Sequence, residues 1–185
     1  GWEVRKLEDV GSFRGGNGFP TKYQGNNYGR YPFYKVSDMN KKGNEIFMSR
    51  ANNYIDNPDQ KKLSLSVFPE GTIVFAKVGA AIFLERKKIL SVSSIVDNNM
   101  MGFLFDKKLY SVQYIYYLFR TIKLGSLANT TALPSLSGKD IGELIFYIPL
   151  KTEQTQIAQI LSDMDTEITT LETKLSKYQK IKQGM

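Results

Sequence analysis

The side chains that could carry chemistry here are few in kind. The 185 residues include no Cys and no His. Disulfides, thiolate or imidazole metal sites, and Ser–His or Cys–His nucleophiles therefore cannot be built within the chain. Carboxylates, lysines and hydroxyls remain. One spacing formally fits an enzyme, Pro58-Asp59 followed by Glu85-Arg86-Lys87. In metal-dependent nucleases of the PD…(E/D)xK pattern, an Asp and a Glu on neighbouring strands hold Mg²⁺ while the Lys polarises the attacking water. Glu85 does follow an apolar run, Ala81 to Leu84, that reads as a strand. Asp59 instead lies in the polar stretch 56–62 with no strand before it. A small Mg²⁺ nuclease built on Asp59, Glu85 and Lys87 is thus the weaker, enzymatic alternative.

Two further motifs fall short. Gly15-Gly16-Asn17-Gly18 lacks the G-x-G-x-x-G phasing, a following helix and a downstream acid, so it reads as a turn rather than a phosphate or adenosyl loop. Asn57-Pro58-Asp59-Gln60 lacks the second proline and the aromatic ring of amino-methyltransferases, and no methyl transfer is expected from the chain itself. No cofactor and no metal are expected.

Binding chemistry is richer. Residues 1–150 hold 20 Lys/Arg against 13 Asp/Glu and 22 of the 23 aromatics, whereas residues 151–185 hold 5 of each charge. A basic, aromatic region attracts phosphate or anionic lipid over a Debye length, although a charged, solvated surface gives the same count. Several stretches mix cations with amides and hydroxyls: 14–17, 22–28, 50–54 and 127–131. Cations neutralise phosphate, while Asn, Gln, Ser and Thr exchange hydrogen bonds with base edges. On this chemistry the candidate DNA contacts are Arg14, Asn17, Lys22, Tyr23, Arg50, Lys77, Arg86, Lys87, Lys88, Asn129 and Thr130. Arg86-Lys87-Lys88 equally fits a solvated hairpin turn, and Tyr23 equally fits packing.

These loops need a scaffold. The spacing predicts strands at Trp2–Lys6, Tyr34–Val36, Thr72–Ala76, Ala81–Leu84, Ile89–Val92, Gly102–Phe105 and Glu143–Ile148, separated by Gly, Pro and Asn turns. It predicts a helix over Val112–Lys123 with Val112, Ile115, Tyr116, Phe119 and Ile122 on one face, and a short helix near 137–142 capped by Ser137. With 42% hydrophobic residues the chain can fill a core. The apolar runs, such as Ile73 to Ala76, are too short to cross a bilayer. No targeting signal is read at Gly1 to Lys6; the ends are open to being trimmed, and a cytoplasmic location is expected.

After Pro149 the pattern changes. Ile157, Leu161, Met164, Ile168, Leu171, Leu175 and Tyr178 recur in alternating steps of four and three, the seam of a coiled coil. Thr152 is the expected N-cap and Gly184 the stop. A rod of roughly 45–50 Å follows from 1.5 Å per residue, and its seam calls for a second long helix from another copy or another protein. The class is α+β: a strand-rich globule with one or two short helices, then a long C-terminal coiled-coil helix.

Taken in order, the segments resemble a known family. These are Gly1 to Leu7 leading through Asp9 to Phe13 into Arg14-Gly15-Gly16, Tyr34 to Met39, Glu70 to Ala80, Thr131 to Ser137, Ile148-Pro149-Leu150, Glu153-Gln154 and Ile157 to Leu161. Together they are similar to the specificity (S) subunit of type I DNA restriction–modification enzymes, over essentially the whole chain. The resemblance implies a target recognition domain over 1–150 and, over 151–185, a helix for dimerisation and docking of methyltransferase (M) subunits. A full S subunit has two such domains and two helices packed antiparallel, so the chain resembles half of one, whether a natural half that pairs with itself or a piece of a longer chain. The implied partners are double-stranded DNA, the M subunits and, through them, the restriction subunit. The implied role is non-catalytic reading of one half of a split DNA target. A protein-binding module with incidental basicity is the third reading.

Overall fold

The computed structural model describes residues 1–129 and 132–184. In chain order the elements are β1 (Glu3–Lys6), α1 (Leu7–Val10), β2 (Gly11–Gly15), β3 (Tyr31–Tyr34), β4 (Phe47–Met48), β5 (Asn53–Ile55), α2 (Asn57–Lys62), β6 (Ile73–Ala76), β7 (Lys87–Leu90), β8 (Ile95–Val96) and β9 (Met100–Phe105). There follow α3 (Val112–Thr121), α4 (Leu124–Leu127), α5 (Gly138–Gly142), β10 (Ile145–Ile148) and α6 (Lys151–Gln183). Short 3-10 turns lie at Thr21–Tyr23, Val36–Asn40 and Ala80–Leu84.

A five-stranded sheet, ordered β2-β9-β6-β7-β4, is the centre of the molecule; a three-stranded sheet, β5-β3-β8, and a two-stranded ribbon, β1-β10, flank it. All four residues of β6 are buried, which is why Ile73-Val74-Phe75-Ala76 reads as a continuous apolar run. Successive side chains leave a strand on opposite faces. Ile73 and Phe75 join the cluster that α3 covers through Ile115 and Phe119. Val74 points the other way, into a cluster with Tyr34, Phe68, Leu90 and Met100.

The α3 helix starts where the Ser111 hydroxyl accepts from the Tyr114 backbone N–H, at 3.4 Å. Ser137 caps α5 in the same way, accepting from Asp140 N. The cap of α6 differs from expectation. The helix begins at Lys151, Leu150 occupies the N-cap without a side-chain bond, and Thr152 lies inside the first turn. Gln154 fastens this end instead. Its Nε2 donates to Pro149 O at 2.9 Å and its Oε1 accepts from Ser111 N at 2.9 Å, so the start of α6 is tied to the cap of α3.

Three strand expectations are corrected. Ala81–Leu84 is a 3-10 turn, because Ile82 alone faces the core while Phe83 and Leu84 stay exposed. The strand expected at Tyr34–Val36 ends at Tyr34, where Asp38 turns the chain by accepting from Lys35 N at 2.8 Å. The one expected at Ile89–Val92 is β7, shifted two residues earlier onto Lys87 and Lys88. Short pieces with little apolar pattern of their own, α1, α2, β4, β5 and β8, are additions.

Candidate nucleic-acid interface

Strand directions bring several loops to one edge of the sheets. β2 ends at Gly15 beside Met101, and β6 ends at Ala76 beside Met100. β3 and β8 run parallel and end together at Tyr34 and Val96, and β5 begins opposite Phe33. Segments 16–24, 35–46, 77–86 and 97–99 therefore share one rim; β4 runs away from it to Met48 beside Leu90, and 49–52 return to the start of β5. An isolated bridge between Asn17 and Asp97 joins the two sheets there, and another between Val78 and Ser135 adds the stretch after residue 131.

Gly16 makes the first junction possible. A Cβ at this position would stand 1.9 Å from Asp97 O and 2.5 Å from Val96 O. The glycine run is thus a close crossing of extended backbone, with Gly15 in β2 and Asn17 bridged to Asp97, rather than the expected turn. Asn17 locks it: its Oδ1 accepts from Ser66 N at 2.7 Å and its Nδ2 donates to Ser66 O at 3.1 Å. Arg14 lies flat on Phe68, 4.1 Å from the ring centroid, and donates through Nη2 to Val67 O at 2.7 Å. Burial pulls its pKa below the usual guanidinium range. Asn129 closes the neighbouring loop on Ser135, donating to Oγ and accepting from N, each at 2.9 Å. Arg14, Asn17 and Asn129 thus form internal links that shape the rim. Thr130 lies outside the described residues.

Exposed cations sit on these supports. Lys22 is exposed above the Tyr23 ring at 5.1 Å, and Tyr23 packs against the small cluster of Phe33, Ile55 and Ile95. Arg50 is exposed at the end of a loop pinned by fully buried Asn44, which accepts from Ser49 N and Arg50 N and donates to Asp38 O and Arg50 O. Lys77 is half-buried with its ammonium beside Gly15, 3.1 Å from where a Cβ would be. Sequence reasoning missed Lys35. Its Nζ bonds Gln24 Oε1 at 2.5 Å and lies 5.5 Å from the Phe19 ring, beside Asp97, whose pKa burial raises. No motif marks Lys35; only the end of β3 puts it on the rim.

The cluster 86–88 divides. Lys87 and Lys88 lie in β7 and are 5% and 9% exposed. The Lys87 ammonium donates to Ile122 O at 2.8 Å and pairs with Glu85, and Lys88 donates to Glu45 O. Burial lowers the Lys88 pKa. Neither ammonium faces solvent as a hairpin turn or a phosphate contact would require. Arg86 borders an open groove between the sheet and α6, with Arg120, Asp165 and Ile168.

The nuclease set is not assembled either. Glu85 accepts from Leu124 N at 3.0 Å and Gly125 N at 2.8 Å. Burial raises its pKa, but the bonds from Lys87, Gly125 and Leu124 outweigh this and hold it below the usual carboxylate range. Asp59 sits instead in the first turn of α2, beside the three-stranded sheet. Among the described residues no three acids gather as a metal site would need, and no helix is long and apolar enough to cross a membrane.

The seam of α6 meets two environments. Ala158 and Gln154 are buried against the globule and Ile157 packs on its main core, with Leu161 half-buried behind them. Tyr117 Oη donates to Asp165 Oδ2 at 3.1 Å, and Arg120 pairs with the same carboxylate. From Thr166 to Gly184 every residue is exposed. Met164, Ile168, Leu171, Leu175 and Tyr178 continue the apolar stripe at 51–66% exposure.

Comparison with known proteins fits this architecture. The chain is 27% identical over 168 residues to the type I restriction enzyme MjaIX specificity subunit of Methanocaldococcus jannaschii, covering 89% of this chain and 38% of that one. Among solved structures it resembles an S subunit of a type I restriction–modification system from M. genitalium (TM-score 0.62, 16% identity, 94% of this chain and 41% of that one). It also resembles the HsdS subunit from Thermoanaerobacter tengcongensis (TM-score 0.66, 14% identity, 92% and 39%). The chain thus spans less than half the length of these relatives. The model of the type I restriction modification DNA specificity domain matches residues 1–183, globule and helix together, and the chain belongs to that family.

Proposed function

We propose that this chain reads one half of a bipartite DNA target and holds separate methyltransferase subunits over it, without catalysing a reaction itself. The match of the specificity-domain family across residues 1–183 carries the reading. The rim supports it: Lys22, Lys35, Arg50 and Lys77 lie on loops whose backbones are fixed by Asn17, Asp38, Asn44 and Asn129. Fixed loops carrying cations suit phosphate contacts that set register, with exposed polar groups between them left for base edges. Residues 1–150 act as the recognition domain and 151–185 as the assembly helix.

The distal stripe of α6 is the place for a second copy, packed antiparallel. Two copies then present two rims, separated by the rod, to a target with inverted halves and a fixed spacer. The same helix pair offers its outer faces to the M subunits, which bring S-adenosylmethionine and flip the adenine they methylate. The deciding experiment is co-purification with a cognate M subunit, followed by methylation mapping on random DNA. The expected result is modified adenine within one split word and no modification by the chain alone. Cleavage of plain duplex by the chain, abolished by Glu85→Ala, would overturn it.

A further inference from the structure

The 3-10 turn Ala80–Leu84 lies between β6 and β7 and ends in two large apolar residues that are exposed among the described residues. Phe83 is 55% exposed and Leu84 54%, while Ile82 between them and the sheet is buried. The tip is held in place from both sides. Glu85 ends the turn in the left-handed region, at φ 55°, a conformation a non-glycine residue keeps only when its surroundings enforce it. Its carboxylate supplies that enforcement by accepting from Leu124 N and Gly125 N and pairing with Lys87. Gly125 packs closely beneath the aromatic ring, where a Cβ would stand 2.8 Å from Phe83 Cδ1.

Cations flank the tip along the chain. Lys77 precedes the turn, Arg86 follows it, and Lys123 leads into the α4 turn that Glu85 grips. The nearest acid, Glu85, is neutralised inside the fold. An exposed apolar pair on a braced backbone, flanked along the chain by cations, is the equipment of proteins that push a side chain between two base pairs while neighbouring cations hold the phosphates.

We infer that Phe83 and Leu84 form a wedge that inserts between stacked base pairs when the rim sits on duplex DNA. The inference rests on the reading of the chain as a DNA-binding subunit and adds a local deformation of the target to it. Insertion unstacks one step and unwinds the duplex, and the cost depends on which step is opened. The wedge therefore discriminates sequence at a position where no hydrogen bond is made. Pyrimidine–purine steps, the most easily unstacked, are the favoured site.

The test uses the full chain assembled with its cognate M subunit on a relaxed closed-circular plasmid treated with topoisomerase. The unaltered complex is expected to lower the linking number. Phe83→Ala combined with Leu84→Ala is expected to lose at least half of that shift while keeping the salt dependence of binding, because no phosphate contact is removed. Phe83→Leu, which keeps an apolar tip, is expected to retain most of it, and thermal melting confirms that each variant is folded. An equal shift in the double variant, or specific binding by the unaltered complex with no shift, would overturn the wedge alone. So would a double variant that still unwinds DNA but sheds its M subunit, which would make the tip a protein contact. An unaltered complex that binds no specific sequence would defeat the underlying reading as well.

Discussion

Up to Asp165, α6 belongs to the globule; beyond it, the same heptad pattern continues with nothing among the described residues packed against it. In the first part Gln154 bonds Ser111 and Pro149, Ala158 is fully buried, Ile157 joins the core, and Asp165 ends the docked stretch on Tyr117 and Arg120. In the second part Ile168, Leu171, Leu175 and Tyr178 keep the spacing but lie exposed. In proteins most helical stability comes from tertiary packing rather than from propensity. The distal part is helical as the continuation of an anchored rod, and its stripe remains available for another helix. The near end of the seam fixes the direction of the rod, and the far end is the surface proposed above for a second copy.

The largest expected effect breaks the far end alone. Leu171→Asp with Leu175→Asp places two charges per copy in the proposed helix pair and removes four buried leucines from the dimer. At about 1.5–3 kcal/mol for each leucine, self-association weakens by at least a thousandfold. Light scattering should show a monomer while the melting of the globule is unchanged. A double variant that still runs as a dimer would show that the distal stripe is not the mating surface.

Next come changes at the near end, which should act on the globule and leave pairing in place. Ala158→Leu forces extra volume into a site with no free surface and should cost about 1–3 kcal/mol of stability. Gln154→Ala leaves the Ser111 N–H and the Pro149 carbonyl without their partner and should cost a similar 1–3 kcal/mol. Both are read by denaturant unfolding. If either variant dissociated the dimer at unchanged stability, the two attachments would not be separable.

The same contrast between committed and available groups explains what the sequence disclosed. Apolar periodicity is a statement about burial. Hence β6, β9, β10, α3 and α6 were legible as elements, whereas the partner expected for the α6 seam is a proposal. The short α3 was overlooked as the partner of its first turns, because periodicity shows a face and not the neighbour that covers it. Polar side chains carry no such signal. Asn17 and Asn129 were plausible base readers by type, yet their amides are bound to Ser66 and Ser135. Lys87 and Lys88 read equally as DNA contacts or as part of a solvated turn, but β7 starts two residues before the expected strand and buries both. Phe83 and Leu84 read as strand residues because an apolar run of four does not reveal whether its alternate members meet a second layer.

Within the rim the contrast can be tested on one residue type. Lys77→Ala removes an ammonium with no acidic partner in the described structure, so binding should weaken about equally on all sequences and the salt slope should fall by about one. Stability should be unchanged. Lys87→Ala, in contrast, leaves the Ile122 carbonyl and Glu85 without their shared donor and should cost about 1–3 kcal/mol of stability. An unaltered salt slope in Lys77→Ala would remove Lys77 from the interface.

The smallest effect falls at the boundary itself. Arg120 and Asp165 have side chains 46% and 30% exposed, so water and salt screen most of their attraction, and a pair of this kind contributes about 0–1 kcal/mol. Tyr117 keeps its bond to Asp165 when Arg120 is removed. Arg120→Ala should therefore lower the melting temperature by less than about 3 °C, and by still less in high salt. It should nevertheless speed amide exchange around residues 162–168, because the last link holding the rod to the globule is weaker and the helix there opens locally more often. Exchange unchanged in that stretch would mean that Tyr117 alone holds the junction. A loss of stability beyond about 2 kcal/mol would mean that the docked part of α6 reaches past Asp165, and the rod would then project a shorter free length to its mate.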